Sequence, residues 1–454
     1  MDMEGKQIVV VGMARSGIAA ARLCARLGAL VVATDSKGPG QLPPEVMNLQ
    51  QDGVRLELGG HRMETFTSAS MVVVSPGVPL TMPELQAARA AGVPIVGELE
   101  LGYRLLKGTV AAITGTKGKS TTTAALGAML REAGGDVRVG GNIGQALTGI
   151  VEGSTPETRF VLEVSSFQLE GTDTFHPQVA VFLNLSADHL DRHASYEEYG
   201  QAKARIFANQ DAGDWAVVNA DDPAVLALAA QGRARQVAFH PTAAAAQGAF
   251  FDGTSARLKT EDRDDLLFDR ADVRLPGEHL ASDLLAAATA ARLLGAPVEA
   301  IRRAVRAYAG VEHVLERVAE IRGVAFFNDS KATNVEAARK SLEAFSGPVL
   351  PIIGGRYKGG DFADLAPALR AHGKAVLAIG EATPRVAEAL GAVVPVVPCG
   401  SMREAVERGF ALAVSGDTVL LAPACSSFDM FEDYAARGRA FKDEVRRLGR
   451  ATGE

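Results

Sequence analysis

Cysteine is scarce in this sequence. Only Cys24, Cys399 and Cys425 occur among 454 residues, too scattered for a disulfide framework or a metal knuckle, and a reducing compartment is expected. No run of 18 consecutive apolar residues is present, so neither a spanning helix nor membrane insertion is expected. A long basic run is also missing. With a net charge of −7, this argues against nucleic acid or an anionic membrane surface as the main partner. The first residues, Met1-Asp2-Met3-Glu4-Gly5-Lys6, lead straight into a strand pattern and lack the n-region and apolar segment of a signal peptide, which points to the cytoplasm. No repeat with a period of roughly 20 to 50 residues is visible, which excludes a solenoid or propeller.

What remains is an ordinary globular composition, 47% hydrophobic and 22% charged, over a length that calls for about two to three domains. Apolar runs alternate with helical patterns throughout, which predicts parallel sheets and an α/β fold. The punctuation of these patterns suggests three domains, over residues 1–96, 97–310 and 311–454. In the first, strands are predicted over Ile8–Val11, Leu30–Thr34 and Met71–Val74, with a helix from about Ser16 to Leu27. The stretch from Ala243 to Arg274 is alanine- and charge-rich with weak periodicity. It reads as a surface excursion of short strands.

The strongest chemical signal is Gly115-Thr116-Lys117-Gly118-Lys119-Ser120-Thr121, which follows the apolar run Val110–Ile113 and opens a helical stretch. A strand, a glycine turn and a helix N-terminus place backbone N–H groups against an anion. Lys119 would reach the β/γ-phosphates and the Ser120 hydroxyl would ligate Mg²⁺. The loop is a shortened variant, because Ile113 stands where a generic phosphate loop has its first glycine. Nearer the start, Gly12-Met13-Ala14-Arg15-Ser16-Gly17 with Asp35 at the end of the next strand is a weak dinucleotide fingerprint. Alone, it suggests NAD.

Several other strand ends carry polar clusters. Glu163 closes the run Phe160–Leu162 and is a metal-ligand candidate, the bland alternative being a carboxylate that caps the helix behind it. Asp188-His189-Leu190-Asp191-Arg192-His193 packs two carboxylates and two imidazoles into six residues, suited to metal ligation or proton handling. Lys203 lies on the helical pattern Tyr196–Ala208, where a solvated lysine is the reading from residues alone. Asn328-Asp329-Ser330-Lys331-Ala332-Thr333-Asn334 reads either as a small-ligand turn or as an elaborate N-cap. Gly354-Gly355-Arg356-Tyr357-Lys358-Gly359-Gly360 offers two cations to a carboxylate or phosphate. The hydroxyls of Cys425-Ser426-Ser427-Phe428 fit a ligand site or a helix start equally well.

Taken together, these segments resemble the Mur ligases of peptidoglycan synthesis over essentially the whole chain. The carriers are Gly-Thr-x-Gly-Lys-Ser at 115–120, Gly-Asn-Ile-Gly at 141–144, Glu-x-Ser-Ser-Phe-Gln-Leu at 163–169, Asp-His-Leu-Asp-Arg-His at 188–193, Asn-Asp-Ser-Lys-Ala-Thr-Asn at 328–334, and Pro-Ala-Cys-Ser-Ser-Phe-Asp-x-Phe at 423–431 with Arg437-Gly438. The last two point to the D-glutamate-adding branch. The resemblance implies an N-terminal Rossmann-like UDP-binding domain, a central P-loop ATPase-like domain and a C-terminal Rossmann-like domain. The implied reaction is ATP- and Mg²⁺-dependent amide formation between UDP-N-acetylmuramoyl-L-alanine and D-glutamate through an acyl phosphate, by a monomer.

Carried over by position, Gly115 to Thr121, His279, Asp283, Asp329 and Lys331 would bind ATP. Ser120, Glu163, His189 and Lys203, the last as a carbamate, would support the metal, with Lys119, Glu163, His189 and Lys203 catalytic. The UDP-sugar would meet Arg15, Ser16, Asp35, Ser36, Lys37, Ser75, Pro76, Gly77 and Asn142, which turns the apparent NAD fingerprint into a UDP site. D-Glutamate would meet Thr333, Lys358, Ser427 and Phe428. The sequence departs from the family at Lys117 and Asp283, where asparagine is common, at Leu280 in the same stretch as Asp283, and at Val314, where arginine is usual.

Overall fold

The computed structural model describes residues 1–186, 192–273 and 278–453, with the side chains of Glu278 and His279 left out. The chain divides into two compact units, Met1–Asp272 with Ser282–Val305, and Val273–Ala281 with Arg306–Glu454. The first unit holds a five-stranded and a nine-stranded sheet, and the second a six-stranded sheet. This is the three-sheet α/β architecture that the alternating patterns predict. Among the described residues no helix is long and apolar enough to cross a membrane.

In the five-stranded sheet the spatial order is Arg55–Leu58, Leu30–Asp35, Gln7–Val11, Met71–Val74, Ile95–Gly97, all parallel. Central strands buried on both faces read as unbroken valine runs, as Val9, Val10 and Val11 or Val72, Val73 and Val74 do. The strand order reverses between Gln7–Val11 and Met71–Val74, so the turns after these two strands flank a crevice at their carboxyl ends. Ser75 Oγ donates to Gly12 O across it at 2.7 Å. A Cβ on Gly17 would stand 1.8 Å from Gly12 O, so only glycine lets the helix Arg15–Arg26 start this close to the first turn.

The nine-stranded sheet has the order Arg263–Asp269, Ser255–Thr260, Gly248–Asp252, Arg235–His240, Trp215–Asn219, Val179–Phe182, Thr109–Thr114, Arg159–Glu163, Val137–Gly141. Its strands are parallel from Val137–Gly141 through Gly248–Asp252, and the last two pairings are antiparallel. The low-periodicity stretch after Ala243 therefore supplies one more parallel strand, Gly248–Asp252, and then the sheet's antiparallel extension. Phe160, Phe175, Phe182, Tyr199 and Phe207 form the buried aromatic part of this core. The helix pattern expected over Tyr196–Ala208 is an α-helix, Tyr196–Ala204, that tightens into a 3₁₀ turn over Arg205–Phe207.

Within the second unit, Glu316–Ile321 lies antiparallel at the edge of Val324–Asn328. Thr418–Leu421, Val349–Gly354, Val376–Ile379 and Val396–Cys399 follow in parallel. The three neighbouring strands Val324–Asn328, Thr418–Leu421 and Val349–Gly354 end in the three turns that the sequence marks as polar.

The helix Glu98–Leu105 links the two sheets of the first unit through buried carboxylates. Glu98 Oε1 accepts from Thr148 N at 2.7 Å and Thr148 Oγ1 at 2.6 Å. Glu100 accepts from the backbone N–H groups of Asp173, Thr174 and Phe175 at 2.9, 3.0 and 3.1 Å, and from Arg104 Nε at 2.6 Å. Burial alone would raise the Glu100 pKa, but these hydrogen bonds outweigh it and hold the carboxyl below its ordinary value. Its contribution to stability is therefore present above the ordinary glutamate pKa and is lost as pH falls through the depressed folded value. Glu100→Ala strands three backbone donors and is expected to lower unfolding free energy by about 3 kcal/mol or more. Urea denaturation at pH 7 checks this, and the variant's deficit should shrink as the pH is taken down toward 4.

Candidate active site

The strand Thr109–Thr114 delivers the chain to the phosphate loop, and the helix Lys119–Glu132 begins directly behind Gly118. Gly118 is the residue before the first turn, with φ of 81°, and no side chain caps the helix there. A Cβ on Gly118 would lie 2.2 Å from Asp283 Oδ1. The loop is held from below by the turn after Val179–Phe182: Thr116 N donates to Asn184 O at 3.0 Å, and Lys117 N to Asn184 Oδ1 at 2.8 Å. The open helix start, with its N–H groups turned toward the loop, is a ready anion site.

The Lys119 ammonium donates to Thr116 O at 2.9 Å, folding its side chain over the loop. Ser120 Oγ donates to Glu163 Oε2 at 2.6 Å, and Asn142 Nδ2 donates to Glu163 Oε1 at 2.7 Å. Asn142 N also donates to Glu163 O at 2.8 Å. Glu163 is thus shared between the phosphate loop and the Gly-Asn-Ile-Gly turn, because the three strands that carry these groups are adjacent. The capping alternative for Glu163 fails for a specific reason. The helix Ser166–Glu170 is capped by Ser165, which forms a capping box with Gln168.

Lys203 is 2% exposed, which overturns the solvated reading. Its ammonium donates to Gly115 O at 2.8 Å and lies 4.6 Å from the centre of the Tyr199 ring. Tyr199, Ala202, Lys203 and Ile206 are all buried, at the i, i+3, i+4, i+7 spacing of one helix face. A lysine interrupting an apolar stripe was the signal that could have found it. His189 and its neighbours from Ala187 to Asp191 lie outside the described residues. His193 is buried, with Nε2 3.0 Å from Ser166 Oγ.

Asp283 is buried, and burial pushes its carboxyl well above the ordinary value. A protonated carboxyl presents one donor and one acceptor, as an asparagine amide would. His279 lies outside the residues whose side chains are described, and Leu280 is buried.

At the crevice of the five-stranded sheet, Asp35 Oδ2 accepts from Met13 N at 2.7 Å and Oδ1 from Lys37 N at 2.9 Å. Asp35 therefore fixes both turns that bear Arg15, Ser16, Ser36 and Lys37. The helix Arg15–Arg26 starts after Ala14 with no side-chain cap, a second open helix N-terminus. Arg15 reaches over to Asn142 O at 3.3 Å, and Ser75, Pro76 and Gly77 form the opposite rim after Met71–Val74. The structure brings the N-terminal group of residues to one edge, with Arg15 and Asn142 joining it to the phosphate-loop group.

In the second unit, Asn334 caps the helix Val335–Glu343 by accepting from Ala337 N at 2.8 Å, which frees Thr333 and Asp329 from that task. Asp329 is buried, accepts from Ser341 Oγ, and has its pKa raised to about 6 by burial. Lys331 is exposed on the same turn. Ser426 and Ser427 are buried in an irregular turn and are not a helix start: the helix Tyr434–Thr452 begins later and is capped by Asp433. Lys358 Nζ lies 5.6 Å from the exposed Phe428 ring. Arg356 N donates to Ser426 O at 2.9 Å, so the Gly354–Gly360 turn and the Ser427 turn stand side by side.

Two outcomes follow. Gly118→Ala is expected to cut turnover at least ~100-fold while leaving the far-UV circular dichroism unchanged, because the new Cβ meets Asp283 and the left-handed backbone disfavours it. Steady-state kinetics and a spectrum of the same sample decide it. For Asp329, the folded carboxyl keeps its proton to about pH 6 against an ordinary value of 3.8. The folded state then binds more protons than the unfolded state across that window, so stability falls as pH rises through it. Asp329→Asn should flatten this decline in melting temperatures measured from pH 4 to 7.

Comparison with known families agrees with this geometry. The Mur ligase MurD-like N-terminal domain matches residues 6–97, the Mur ligase middle domain residues 113–291, and the Mur ligase glutamate ligase domain residues 315–425. The chain is 46% identical over 447 residues to a UDP-N-acetylmuramoylalanine–D-glutamate ligase of Acidobacterium capsulatum, covering 98% of this chain and 97% of that protein. It is 44% identical to the Anaeromyxobacter dehalogenans protein of the same name, with 97% of each covered. Among solved structures, the UDP-N-acetylmuramate-alanine ligase of Thermotoga maritima aligns with a TM-score of 0.58 at 19% identity, over 98% of this chain and 100% of that one. A MurF structure from Acinetobacter baumannii aligns at 0.57 and 17%, over 96% and 93%. These two likenesses concern the fold alone. Full-length identity of this order, with all three domain types matched in sequence, establishes that the chain belongs to the Mur ligase family.

Proposed function

We propose that this chain is an ATP-dependent ligase that joins D-glutamate to UDP-N-acetylmuramoyl-L-alanine in peptidoglycan precursor synthesis, with domains over residues 1–96, 97–310 and 311–454. The observation that carries the reading is the phosphate loop joined by Ser120 to Glu163, 2.6 Å apart, in a chain 46% identical to a D-glutamate ligase over nearly its whole length. Both nucleotide substrates belong to the cytoplasm, and so does the reaction.

The UDP moiety is assigned to the crevice after Gln7–Val11 and Met71–Val74, where Arg15, Ser16, Asp35, Ser36, Lys37, Ser75, Pro76 and Gly77 gather. ATP is assigned to the loop Gly115–Thr121, with Lys119 on the β/γ-phosphates, and to Asp329 and Lys331 for the ribose side. The substrate carboxylate attacks the γ-phosphorus, a carboxylate oxygen bonds to phosphorus, and ADP leaves with the electron pair of the broken P–O bond. The D-glutamate amine then attacks the acyl carbon, loses a proton, and inorganic phosphate departs. Two steps with good leaving groups replace one difficult condensation.

Hydroxyl and carboxylate oxygens at Ser120 and Glu163 make a hard-donor pair that suits Mg²⁺. When bound, the ion would neutralise charge on the transferring phosphoryl group. Lys203, buried against Gly115 O, fits the family's carbamylated lysine by position. Conversion to a carbamate, by addition of CO₂ to the amine with loss of a proton, would exchange the buried cation for an anion able to support a metal beside the loop. Lys358 supplies the cation, and Thr333, Ser427 and Phe428 the contacts, that a dicarboxylic amino acid calls for.

Phosphate release from ATP with UDP-N-acetylmuramoyl-L-alanine, measured with D-glutamate, L-glutamate, L-lysine and diaminopimelate in separate reactions, tests the reading. Release with D-glutamate alone is expected, and release with another amino acid instead would reassign specificity within the family. Lys358→Ala should raise KM for D-glutamate at least ~10-fold, with KM for ATP within about twofold. Equal shifts in both would remove Lys358 from the amino-acid site.

A further inference from the structure

Arg437 is the largest fully buried side chain in the described residues, at 1% exposed. Burial lowers its pKa to about 10, so it remains a cation at neutral pH. Among the described residues no carboxylate pairs with it. Its guanidinium instead donates Nε to Ser330 Oγ at 3.0 Å, Nη2 to Ser330 O at 2.9 Å and Nη1 to Cys425 O at 3.0 Å. Ser330 Oγ in turn donates to Tyr434 O at 2.7 Å, returning the chain of contacts to the first turn of arginine's own helix.

These acceptors belong to two different turns. Ser330 sits between Asp329 and Lys331, after the strand Val324–Asn328. Cys425 lies two residues before Ser427, after the adjacent strand Thr418–Leu421. The third turn is engaged as well, since a Cβ on Gly355 would stand 3.2 Å from Arg437 Nη1 and 2.2 Å from Ser426 O. The planar fork therefore lies beneath all three turns and bonds directly to two. Ala424, next to Cys425, has φ of 56°, a left-handed conformation for a residue with a side chain, which the Nη1 bond to Cys425 O helps to hold.

A buried cation hydrogen-bonded only to a hydroxyl and carbonyls is costly even with the Asp429 charge acting on it from a distance, and an apolar residue of similar size could fill the space. What an apolar residue could not do is fix the separation and tilt of two carbonyl-bearing turns at once, which the five fixed N–H vectors of a guanidinium can. We propose that Arg437 is a positioning residue that locks the Asp329–Asn334 turn to the Cys425–Asp429 turn, so that nucleotide and D-glutamate contacts are set together. This rests on the ligase reading for the identity of the two ligands.

The test uses the full-length enzyme and Arg437→Lys, which keeps the charge and loses the fork, with Arg437→Met as a second variant. Wild-type turnover with D-glutamate comes first; its absence would fail the ligase reading and leave the locking of the turns to the binding measurement. In Arg437→Lys, KM for ATP and KM for D-glutamate should both rise at least ~10-fold while KM for UDP-N-acetylmuramoyl-L-alanine stays within about twofold. Independently of turnover, binding of a fluorescent ADP analogue should weaken by a similar factor. Overturning results are a lower melting temperature with all three KM values and ADP affinity unchanged, a shift in only one of the ATP and D-glutamate values, or an equal shift in all three. If Arg437→Met does not fold, the lysine variant decides.

Discussion

The first unit is organised by one shared carboxylate. Glu163 closes the strand Arg159–Glu163 between the phosphate-loop strand and the Gly-Asn-Ile-Gly strand, and gives one oxygen to Ser120 and the other to Asn142. Because Ser165 satisfies the start of the next helix, Glu163 has no local duty and can serve its neighbours. The same residue thereby sets the hydroxyl of the phosphate loop and the amide of a turn that Arg15 also grips. A buried carboxylate is tolerable here because each oxygen receives a hydrogen bond and the helix behind Gly118 points its positive end toward the loop.

Much of this was legible from residue order, and the failures have physical causes. Valine-rich strands buried on both faces announce themselves, as Gln7–Val11 and Met71–Val74 do, and a glycine turn followed by Lys-Ser is a demanding pattern. Strands such as Arg55–Leu58, Val137–Gly141 and Val396–Cys399 carry no such signal. They lie at or near sheet edges, carry charged, glycine or proline residues, and are only partly buried over most of their length. The stretch after Ala243, read as short strands, does form them, and its weak periodicity accompanies a register shift where Ser255–Thr260 pairs with Arg263–Asp269.

At the site level, residues alone favoured the wrong environment for Lys203 and left Ser426 and Ser427 undecided. The polarity of Lys203 suggests exposure, although the helical spacing of Tyr199, Ala202 and Ile206 places it on the inward face. The serines looked like a cap because a helix follows them. Only the fold reveals that Asp433 performs the capping and that the serines close against the Gly354–Gly360 turn. Family resemblance supplied what spacing could not, since it matches positions whose neighbours are distant in sequence.

Several charged side chains of this chain hold backbone and so fix the turns around the sites. Glu98 and Glu100 receive N–H groups of the central sheet's loops, Asp35 receives two from the crevice turns, and Arg437 donates to two carbonyls. Each arrangement costs desolvation that an apolar side chain would avoid, so stability alone does not account for them. What they provide is direction. A hydrocarbon contact tolerates sliding, whereas a carboxylate on two amides or a guanidinium on two carbonyls fixes orientation as well as distance. For a reaction in which phosphoryl transfer depends on alignment more than on covalent help from the protein, loops fixed before the substrates arrive lower the reorganisation needed at the transition state.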